Sequence, residues 1–389
     1  MKQHNPDISI IIVSYNSWEF LDLTLFSVSK AIEDISAEVI VVDNASSINI
    51  VDRVRQSYPF VITVGNNENL GFSKANNIGL KMAKGKIAVL VNPDIIVGED
   101  TFKVVLNHFD QDPVAGGIGL RMINGEGNYL KESMRGLPTP FASFCKITGL
   151  VSLFPKSKQI ARYYHGDLDE TQNQKVDVLA GAFLAQRRDD NGEFELLDEQ
   201  YFMYGEDIDL SYCLMNKFGS NHFLGAAPII HFKGKSTVAS KEIYQYFYQS
   251  MWIFHRKYFF KKTFFLVNAL IWVAINGIQV LKTAMLELPV RTAKNKTFRP
   301  SRILLISHDE KLKDKLGETY HPAEIFISEK IDESQMSDMI VFDMGSISLK
   351  DIITGIVKNG TGAYAYASPD GKYMIENSLV GGKGQVVYF

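Results

Sequence analysis

Residues 8–16 read ISIIIVSYN, an apolar run rich in β-branched residues that ends in a tyrosine between two polar side chains. Such a run is typical of a strand that is buried on both faces of a parallel sheet. Residues 19–32 carry apolar side chains at helical spacing, and further strand-like and helix-like segments then alternate along the chain: 38–42, 50–57, 60–64, 71–84 and 87–91. This alternation predicts βαβ units and a mostly parallel sheet.

Polar residues follow three of these strands, at the point where each strand ends. They are Ser14-Tyr15-Asn16, Asp43-Asn44 and Asn92-Pro93-Asp94. Because ligands bind beyond the carboxyl ends of parallel strands, the three clusters predict one shared site at this edge of the sheet. The alternative is that these residues only form turns.

The segment YFMYGEDIDL, residues 201–210, places three carboxylates just after aromatic residues and a glycine. A partly dry pocket of this composition can hold a carboxylate as a proton acceptor. The alternative is an acidic first turn of a helix, where Glu206, Asp207 and Asp209 would favour the helix dipole. The distant Asp94 favours the first interpretation, since it supplies a second acidic position at the predicted site.

The composition describes a globular protein and gives no sign of a nucleic-acid partner. The chain has 389 residues, 46% hydrophobic and 22% charged, with a net charge of −3. Cys145 and Cys213 lack metal or redox spacing, which favours buried thiols in a reducing compartment. Residues 1–7 are polar, so a cleaved secretory signal is not expected.

The middle of the chain gives weaker patterns. Residues 101–109 and 208–217 predict helices, and 176–187 predicts a strand that lines the pocket. Residues 113–175 mix glycine, proline and basic residues, and predict irregular structure.

Five segments together resemble the family-2 glycosyltransferases, which are inverting enzymes of GT-A fold, over roughly residues 8–258. The segments occur in order along the chain: IIIVSYN at 10–16, VVDNAS at 41–46, NLGFSKANNIG at 69–79, NPD at 92–94 and GEDIDL at 205–210. The NLGF and NPD forms resemble the rhamnosyltransferase-like branch. One such motif is weak, but five in order are specific.

The resemblance implies a nucleotide-sugar site and a role for each residue in it. Asp43 would bind the base or ribose, Tyr15 would pack on the base, and Lys74 would reach the diphosphate unless it is an ordinary exposed lysine. The full set of expected donor-binding residues is Ser14, Tyr15, Asn16, Asp43, Asn69, Gly71, Lys74, Asn76 and Asn92.

A diphosphate donor calls for Mg²⁺ or Mn²⁺, which prefer carboxylate and phosphate oxygens. Asp94 fits this role, since Asn92 is a neutral and weaker ligand. The resemblance suggests His231 as a further metal or diphosphate contact, and the following Gly234-Lys235-Ser236 is compatible with that role; the alternative is a structural histidine.

Inversion by direct displacement requires one base, and a metal-bound diphosphate leaves without a protein acid. Asp207 is the expected base, and Glu206 is the neighbour that orients it or shifts its pKa. Asp209 is expected to favour the helix start. Residues 249–252, QSMW, lack the arginine of the processive Gln-X-X-Arg-Trp signature, so transfer of a single sugar is expected.

The segment at 244–265 is crowded with aromatic and basic residues, and 264–281 is almost entirely apolar. Three interpretations remain open for it: a helix at the membrane interface, a membrane-spanning helix, and a core helix packed on the C-terminal part. The first suits an enzyme that works on a lipid-linked acceptor at the cytoplasmic face of the inner membrane.

These patterns predict a GT-A domain over 1–243, an aromatic and basic helical segment with a linker over 244–299, and a small α/β domain over 300–389. Short strands are expected at 303–307, 340–342, 363–367 and 386–389 in the last part.

The predicted function is that of an inverting, metal-dependent glycosyltransferase that moves one sugar, with dTDP-rhamnose as the first candidate donor, to a surface-glycan or lipid-linked acceptor. One rival is a nucleotidyltransferase, which would carry a glycine-rich basic loop in place of Ser14-Tyr15-Asn16-Ser17. The other is a non-catalytic glycan-binding or nucleotide-binding scaffold of the same fold.

Overall fold

The computed structural model describes residues 5–233, 240–287, 299–329, 337–377 and 384–389. Gly234, Lys235 and Ser236 therefore lie outside the described residues, as does most of the predicted linker. The first part of the chain contains these helices and strands: β1 Ile8–Ser14, α1 Trp18–Ala31, β2 Ala37–Asp43, α2 Ile50–Ser57, β3 Ile62–Gly65, α3 Gly71–Met82, β4 Ile87–Val91, β5 Ile95–Ile96, α4 Thr101–Gln111, β6 Ala115–Ile123, β7 Met134–Arg135, α5 Pro140–Ile147, α6 Leu150–Leu153, β8 Asn173–Val176, β9 Val178–Leu179, β10 Phe183–Arg187, α7 Glu206–Phe218, β11 Ser220–His231, α8 Lys241–Tyr258 and α9 Phe265–Glu287.

The predicted βαβ units are present in the N-terminal part of the first sheet. Strands β3, β2, β1 and β4 are neighbours in that order and run parallel. Ser14 lies opposite Asp43, and the Asn44 N–H donates to the Ser14 carbonyl at 2.8 Å. The carboxyl ends of β1, β2 and β4 therefore lie at one edge, as expected.

The whole first sheet is mixed: the predicted parallel strands form one part of it, and antiparallel pairs complete it. Its strand order is β3-β2-β1-β4-β10-β6-β11-β5, with β8 paired to β11. β10 is antiparallel to both β4 and β6, and β11 is antiparallel to β5 and β8. Because β10 runs antiparallel to β4, this pairing does not require the helical crossover that joins two parallel neighbours.

The expectation of irregular structure over residues 113–175 is wrong, because the nine-residue strand β6 lies within this stretch. Its glycines resemble loop residues in sequence, but they are needed for close packing. A Cβ on Gly116 would lie 2.7 Å from the Leu214 carbonyl of α7, and one on Gly119 would lie 2.9 Å from a Leu179 methyl. Glycine here lets α7 and β9 approach the sheet.

The strand expected over 176–187 is broken at residues 180–182 into β9 and β10. At the break, the Gly181 N–H donates to the Asp207 carboxylate at 3.2 Å. The strand predicted to line the pocket is thus interrupted, and the interruption places the Gly181 N–H where it can donate to Asp207.

A second sheet forms from β12 Arg302–Ile306, β13 Glu324–Ser328, β14 Met339–Asp343, β15 Tyr364–Ala367, β16 Tyr373–Glu376 and β17 Gln385–Tyr388, with helices α10 Glu310–Thr319 and α11 Leu349–Asn359. Its order is β13-β12-β14-β15-β16-β17, with β16 and β17 antiparallel. The sequence indicated four of these strands, and β13 and β16 are additional.

The two sheets share one hydrophobic core. Phe20, Ile96 and Phe232 of the first part are buried in the same cluster as Phe342 and Tyr366 of the second. Phe232 lies between Phe20 and Tyr366, with ring centroids 5.8 Å and 4.9 Å away. The packing therefore reaches the residue next to His231.

Helix α9 is long and apolar, and is mostly exposed. Residues 265–286 satisfy the length and composition of a membrane-crossing helix, and 11% of the most apolar window is buried. Among the described residues, little covers this helix, which does not support the interpretation as a core helix.

Candidate active site

A cavity of about 400 Å³ opens at the carboxyl edge of the first sheet. Asp94, from the turn after β4, and Asp207, from the start of α7, both line it. The two distant acidic positions of the sequence thus meet in one cleft. Six other expected residues also line the cavity, namely Tyr15, Asn69, Gly71, Asn92, Glu206 and His231.

Asp207 is held by donors from three directions. Arg135 donates to its Oδ2 atom, the Gly181 N–H donates to the same atom at 3.2 Å, and the Ile208 N–H donates to Oδ1 at 2.8 Å. The side chains of Arg135 and Asp207 are only 12% and 15% exposed. A carboxylate with this many donors has a fixed orientation in the cavity.

Arg135 is a site residue that the sequence does not reveal. It lies in β7, in the stretch predicted to be irregular, and 72 positions from Asp207. Burial opposes its charge, but the neighbouring Asp207 raises the pKa of the guanidinium above its ordinary value. The pair therefore stays ionic, and no local pattern in the sequence could have indicated it.

Glu206 is adjacent to Asp207 but has a different environment. Tyr204 and Gly205 both adopt the left-handed conformation, with φ of 70° and 81°, and this turn starts α7 at Glu206. The Glu206 side chain is buried, and its Oε2 atom has no hydrogen-bond partner among the described residues. Burial, and then the Asp207 charge, raise the pKa of Glu206 to about 8. The Glu206 carboxyl is therefore largely protonated at neutral pH.

Asp209 lies outside the cavity lining and has a structural partner. Lys257 of α8 donates to it at 2.9 Å and also contacts Asp198 at 2.7 Å. The expectation that Asp209 only supports the helix start is thus incomplete, since it also ties α7 to α8.

Asp94 and His231 lie next to each other in the lining of the same cavity. His231 Nε2 lies 3.3 Å from Asp94 Oδ1, and both side chains are buried. The Phe232 N–H donates to the Asp94 carbonyl at 3.0 Å, which fixes the two segments together. His231 Nδ1 is buried without a hydrogen-bond partner among the described residues. Glu132 lines the cavity beside them and pairs with Lys233.

Asp94 and His231 fit a divalent cation whose remaining ligands come from the substrate. Among the described residues, no group of three or more His, Cys, Asp or Glu side chains could hold a metal ion. Mg²⁺ and Mn²⁺, however, commonly bind through one or two protein ligands together with phosphate oxygens. One buried carboxylate beside one buried imidazole matches that requirement.

Five expected donor-binding residues do not line the cavity: Ser14, Asn16, Asp43, Lys74 and Asn76. Asp43 accepts hydrogen bonds from Ser46 within the turn after β2. Asn16 accepts from the Ser47 N–H, which ties the end of β1 to the segment after β2. Asn76 donates to the Phe72 carbonyl within α3, and Lys74 is exposed. Their expected roles in donor binding stay predictions.

The segment NLGF connects the strand ends to the acidic segment. Asn44, which the sequence did not single out as a binding residue, donates to Asn69 at 2.8 Å and lines the cavity. The Phe72 N–H donates to the Phe202 carbonyl at 2.7 Å, and a Cβ on Gly71 would lie 2.5 Å from that carbonyl. Glycine is therefore required here for close contact between α3 and residues 201–204.

Residues 9–194 match the model of the family described as Glycosyl transferase family 2. The match ends before the acidic segment and His231. The chain is 26% identical over 242 residues to an N-acetylglucosaminyl-diphospho-decaprenol L-rhamnosyltransferase of Mycobacterium tuberculosis, covering 59% of this chain and 77% of that protein. It is also 26% identical to the rhamnosyltransferase WbbL of Escherichia coli, covering 58% and 83%.

Among solved structures, GalNAc-T7 in complex with UDP, GalNAc and Mn²⁺ has a TM-score of 0.42 and 17% identity to this chain. The alignment covers 59% of this chain and 44% of that one, so this chain spans less than half of its length. A likeness at this level carries no argument about ligands. The mixed sheet with flanking helices, the shared cavity and the family match together identify the fold and the activity class. The chain contains a glycosyl transferase family 2 domain of GT-A-like α/β fold, is similar to rhamnosyltransferases, and is a glycosyltransferase.

Proposed function

We propose that this protein transfers a single sugar from a nucleotide-diphosphate donor to a hydroxyl of a surface-glycan or lipid-linked acceptor, with inversion and with a divalent cation. The observation that carries the proposal is that Asp94 and Asp207 line one cavity of about 400 Å³. An inverting displacement requires this arrangement, since the leaving diphosphate and the attacking hydroxyl lie on opposite sides of the anomeric carbon.

Asp207 is the proposed base. Its neighbours are less suited to that role, because burial raises the pKa of Glu206 to about 8, which leaves it largely protonated near pH 7, and Asp209 is paired with Lys257. Arg135 and two backbone N–H groups hold the carboxylate in one orientation. A fixed carboxylate at the wall of the cavity can accept the proton of an acceptor hydroxyl as that oxygen attacks.

Asp94 and His231 are the proposed ligands of Mg²⁺ or Mn²⁺. The bound ion would neutralise charge on the departing nucleoside diphosphate, so no protein acid is needed for departure. Asn69, Asn92 and Tyr15 line the remaining wall, where amides can bind sugar or phosphate oxygens and the tyrosine can pack on a base. Further donor contacts are proposed from the ends of β1 and β2 and from α3, through Ser14, Asn16, Asp43, Lys74 and Asn76.

We propose dTDP-rhamnose as the first donor to test, because two relatives are named as rhamnosyltransferases. A lipid-linked acceptor is proposed because one of those relatives is named for a sugar-diphospho-polyprenol substrate. Such an acceptor suits an enzyme at the cytoplasmic face of the inner membrane that contacts the bilayer peripherally through residues 264–281.

The proposal is tested by measuring release of nucleoside diphosphate from a panel of nucleotide sugars, with lipid-linked acceptors and Mn²⁺ or Mg²⁺. Asp207→Asn is expected to abolish transfer by at least a thousandfold while donor binding stays within about twofold, because the variant keeps the shape but not the base. Asp209→Asn is the matched control, two positions away and outside the cavity, and should retain most of its activity. Normal turnover by Asp207→Asn would show that another group accepts the proton.

A further inference from the structure

A second concavity, of about 730 Å³, lies between α8 and α9, outside the catalytic cavity. Its walls are chiefly apolar and aromatic, and Lys261 lies among the lining residues. This size is within the range of small-molecule sites. The lining includes Trp252, Phe260, Phe265, Ala269 and Trp272.

The polar atoms of Asn268 and Thr263 in this groove already have partners within the protein. Asn268 is buried; its Oδ1 atom lies 2.8 Å from His255 Nε2, and its amide donates to the Phe260 carbonyl at 3.0 Å. Thr263 also donates to Asn268. The side chain that fixes α9 to α8 therefore needs no polar guest, and the remaining surface favours hydrocarbon.

Helix α9 has its polar side turned towards the protein and its apolar side turned outwards. At 100° per residue, the polar residues between 268 and 283 fall within an arc of about 120° that also contains the buried Ile275. They are Asn268, Asn276, Gln279, Lys282 and Thr283. The opposite side carries Leu270 and Leu281, which are 69% and 60% exposed. A contiguous apolar face of this kind is suited to contact with lipid rather than water.

Helix α8 connects this groove to the catalytic cavity. Tyr246 stacks on Phe202, a cavity-lining residue, with ring centroids 4.6 Å apart. Trp252 is six residues further along the same helix, which is about 9 Å of axial rise. The two sites are thus close enough for one molecule to reach both.

We propose that the α8–α9 groove binds the hydrocarbon chain of a lipid-diphosphate acceptor, with Lys261 beside the diphosphate and the sugar directed along α8 to the cavity. This inference rests on the proposed function, because it names the acceptor as a lipid. The occupant is a substrate chain and not bulk bilayer, because the site is concave and shares a helix with the cavity, whereas a bilayer needs only the outward face of α9.

The tryptophans of this chain allow a direct binding measurement. There are three, and two of them, Trp252 and Trp272, line the groove. In a Trp18→Phe variant, emission reports the groove alone. Titration with farnesyl diphosphate in detergent-free buffer should quench or shift this emission saturably. Inorganic diphosphate should have no effect, and farnesol should bind several-fold more weakly because it has no charge for Lys261.

Paired substitutions on α9 test where the chain binds. Ala269→Phe fills the groove and is expected to weaken farnesyl diphosphate binding at least tenfold. Ala274→Phe introduces the same side chain on the outward face, where Ala274 is exposed, and should change binding less than twofold. Equal affinity in both variants would overturn the proposal. Emission that responds only to vesicles of brominated phosphatidylcholine and phosphatidylglycerol, and not to farnesyl diphosphate, would instead make bilayer the occupant.

The fluorescence measurement does not depend on sugar transfer, so the two proposals can fail separately. If no nucleotide sugar is turned over but farnesyl diphosphate binds as described, the transferase proposal fails and the groove stands. If Ala269→Phe keeps the wild-type preference for lipid-linked over water-soluble acceptors, the groove proposal fails and the transferase stands.

Discussion

At the scale of single residues, the site depends on two neighbouring carboxyl groups with unlike surroundings. Asp207 accepts hydrogen bonds from the Arg135 guanidinium and from two backbone N–H groups. Glu206 is buried, and one of its oxygens has no partner among the described residues. The sequence predicts both acids because they are adjacent in one motif. It does not predict Arg135, whose contact depends on the path of the intervening 72 positions.

Glu206→Gln is expected to change how stability depends on pH. The pKa of Glu206 rises from 4.5 to about 8 on folding, so the folded state binds the extra proton between these values. Its contribution to stability is complete below pH 4.5 and is lost as pH rises through 8. The wild type should therefore lose up to about 1.4 kcal/mol per pH unit relative to Glu206→Gln in this window. Chemical denaturation at pH 5, 6, 7 and 8 measures the difference, and a constant difference would contradict this pKa.

Asp94→Ala is expected to weaken donor binding only when metal is present. Without the carboxylate, His231 alone would hold the cation, and the diphosphate would lose most of its neutralising charge. Calorimetric titration with a nucleotide sugar should show at least a tenfold higher Kd than wild type in Mn²⁺. The two proteins should bind equally in a chelator, which is the control. Unchanged affinity across a Mn²⁺ titration would remove Asp94 from the metal site.

At the scale of helices and strands, regular patterns were predictable and glycine-rich ones were not. The bounds of β1, α2 and β4 follow from their apolar spacing, because each element buries its apolar side chains in the same hydrophobic cluster. The sequence does not predict β6, because its glycines are explained only by the helix that packs on them. It does not reveal that β10 is antiparallel either, since the direction of a strand depends on pairing with residues that are distant in sequence.

Gly116→Ala is expected to destabilise the protein by about 1–3 kcal/mol, as overpacking does. The new methyl would meet the Leu214 carbonyl, part of the α7 backbone, and α7 carries Glu206 and Asp207. Transfer activity should fall together with stability. Gly277→Ala is the control, because nothing lies within 4 Å of that position. Thermal denaturation of both variants measures the effect, and a Gly116→Ala protein as stable as wild type would show that α7 shifts freely.

At the scale of the whole molecule, the C-terminal sheet is joined to the catalytic part by more than a linker. Glu99 accepts from the Leu349 and Lys350 N–H groups at 2.7 and 2.8 Å, at the start of α11, and Tyr366 donates to the Gly125 carbonyl at 3.0 Å. The sequence predicts a C-terminal α/β unit but not its packing against the catalytic part. An apolar residue in β15 gives the same sequence pattern whether it packs within its own unit or against the other one. Domain boundaries at 243 and 299 stay predictions.

The shared core predicts one cooperative unfolding transition. Tyr366→Leu should lower its midpoint, with a loss of about 3 kcal/mol from packing against Phe232 and from the hydrogen bond to Gly125. Tyr388→Leu, in the same sheet but 64% exposed, should change stability by about 0.5 kcal/mol or less. Differential scanning calorimetry measures both. Two separate transitions in the wild type, or a shift confined to one of them, would mean that the sheets unfold independently.

The union of the two sheets also has a consequence for biosynthesis. Phe20, Ile96 and Phe232 leave the ribosome well before Tyr366 and Ile375, which cover them. Roughly 140 residues separate Phe232 from Ile375, and translation at about 5–20 residues per second needs about 7–30 s to make them. During that interval the nascent catalytic part exposes an apolar surface that is prone to aggregation. The yield of soluble protein should therefore depend on chaperone concentration and on the rate of translation through the last third of the chain.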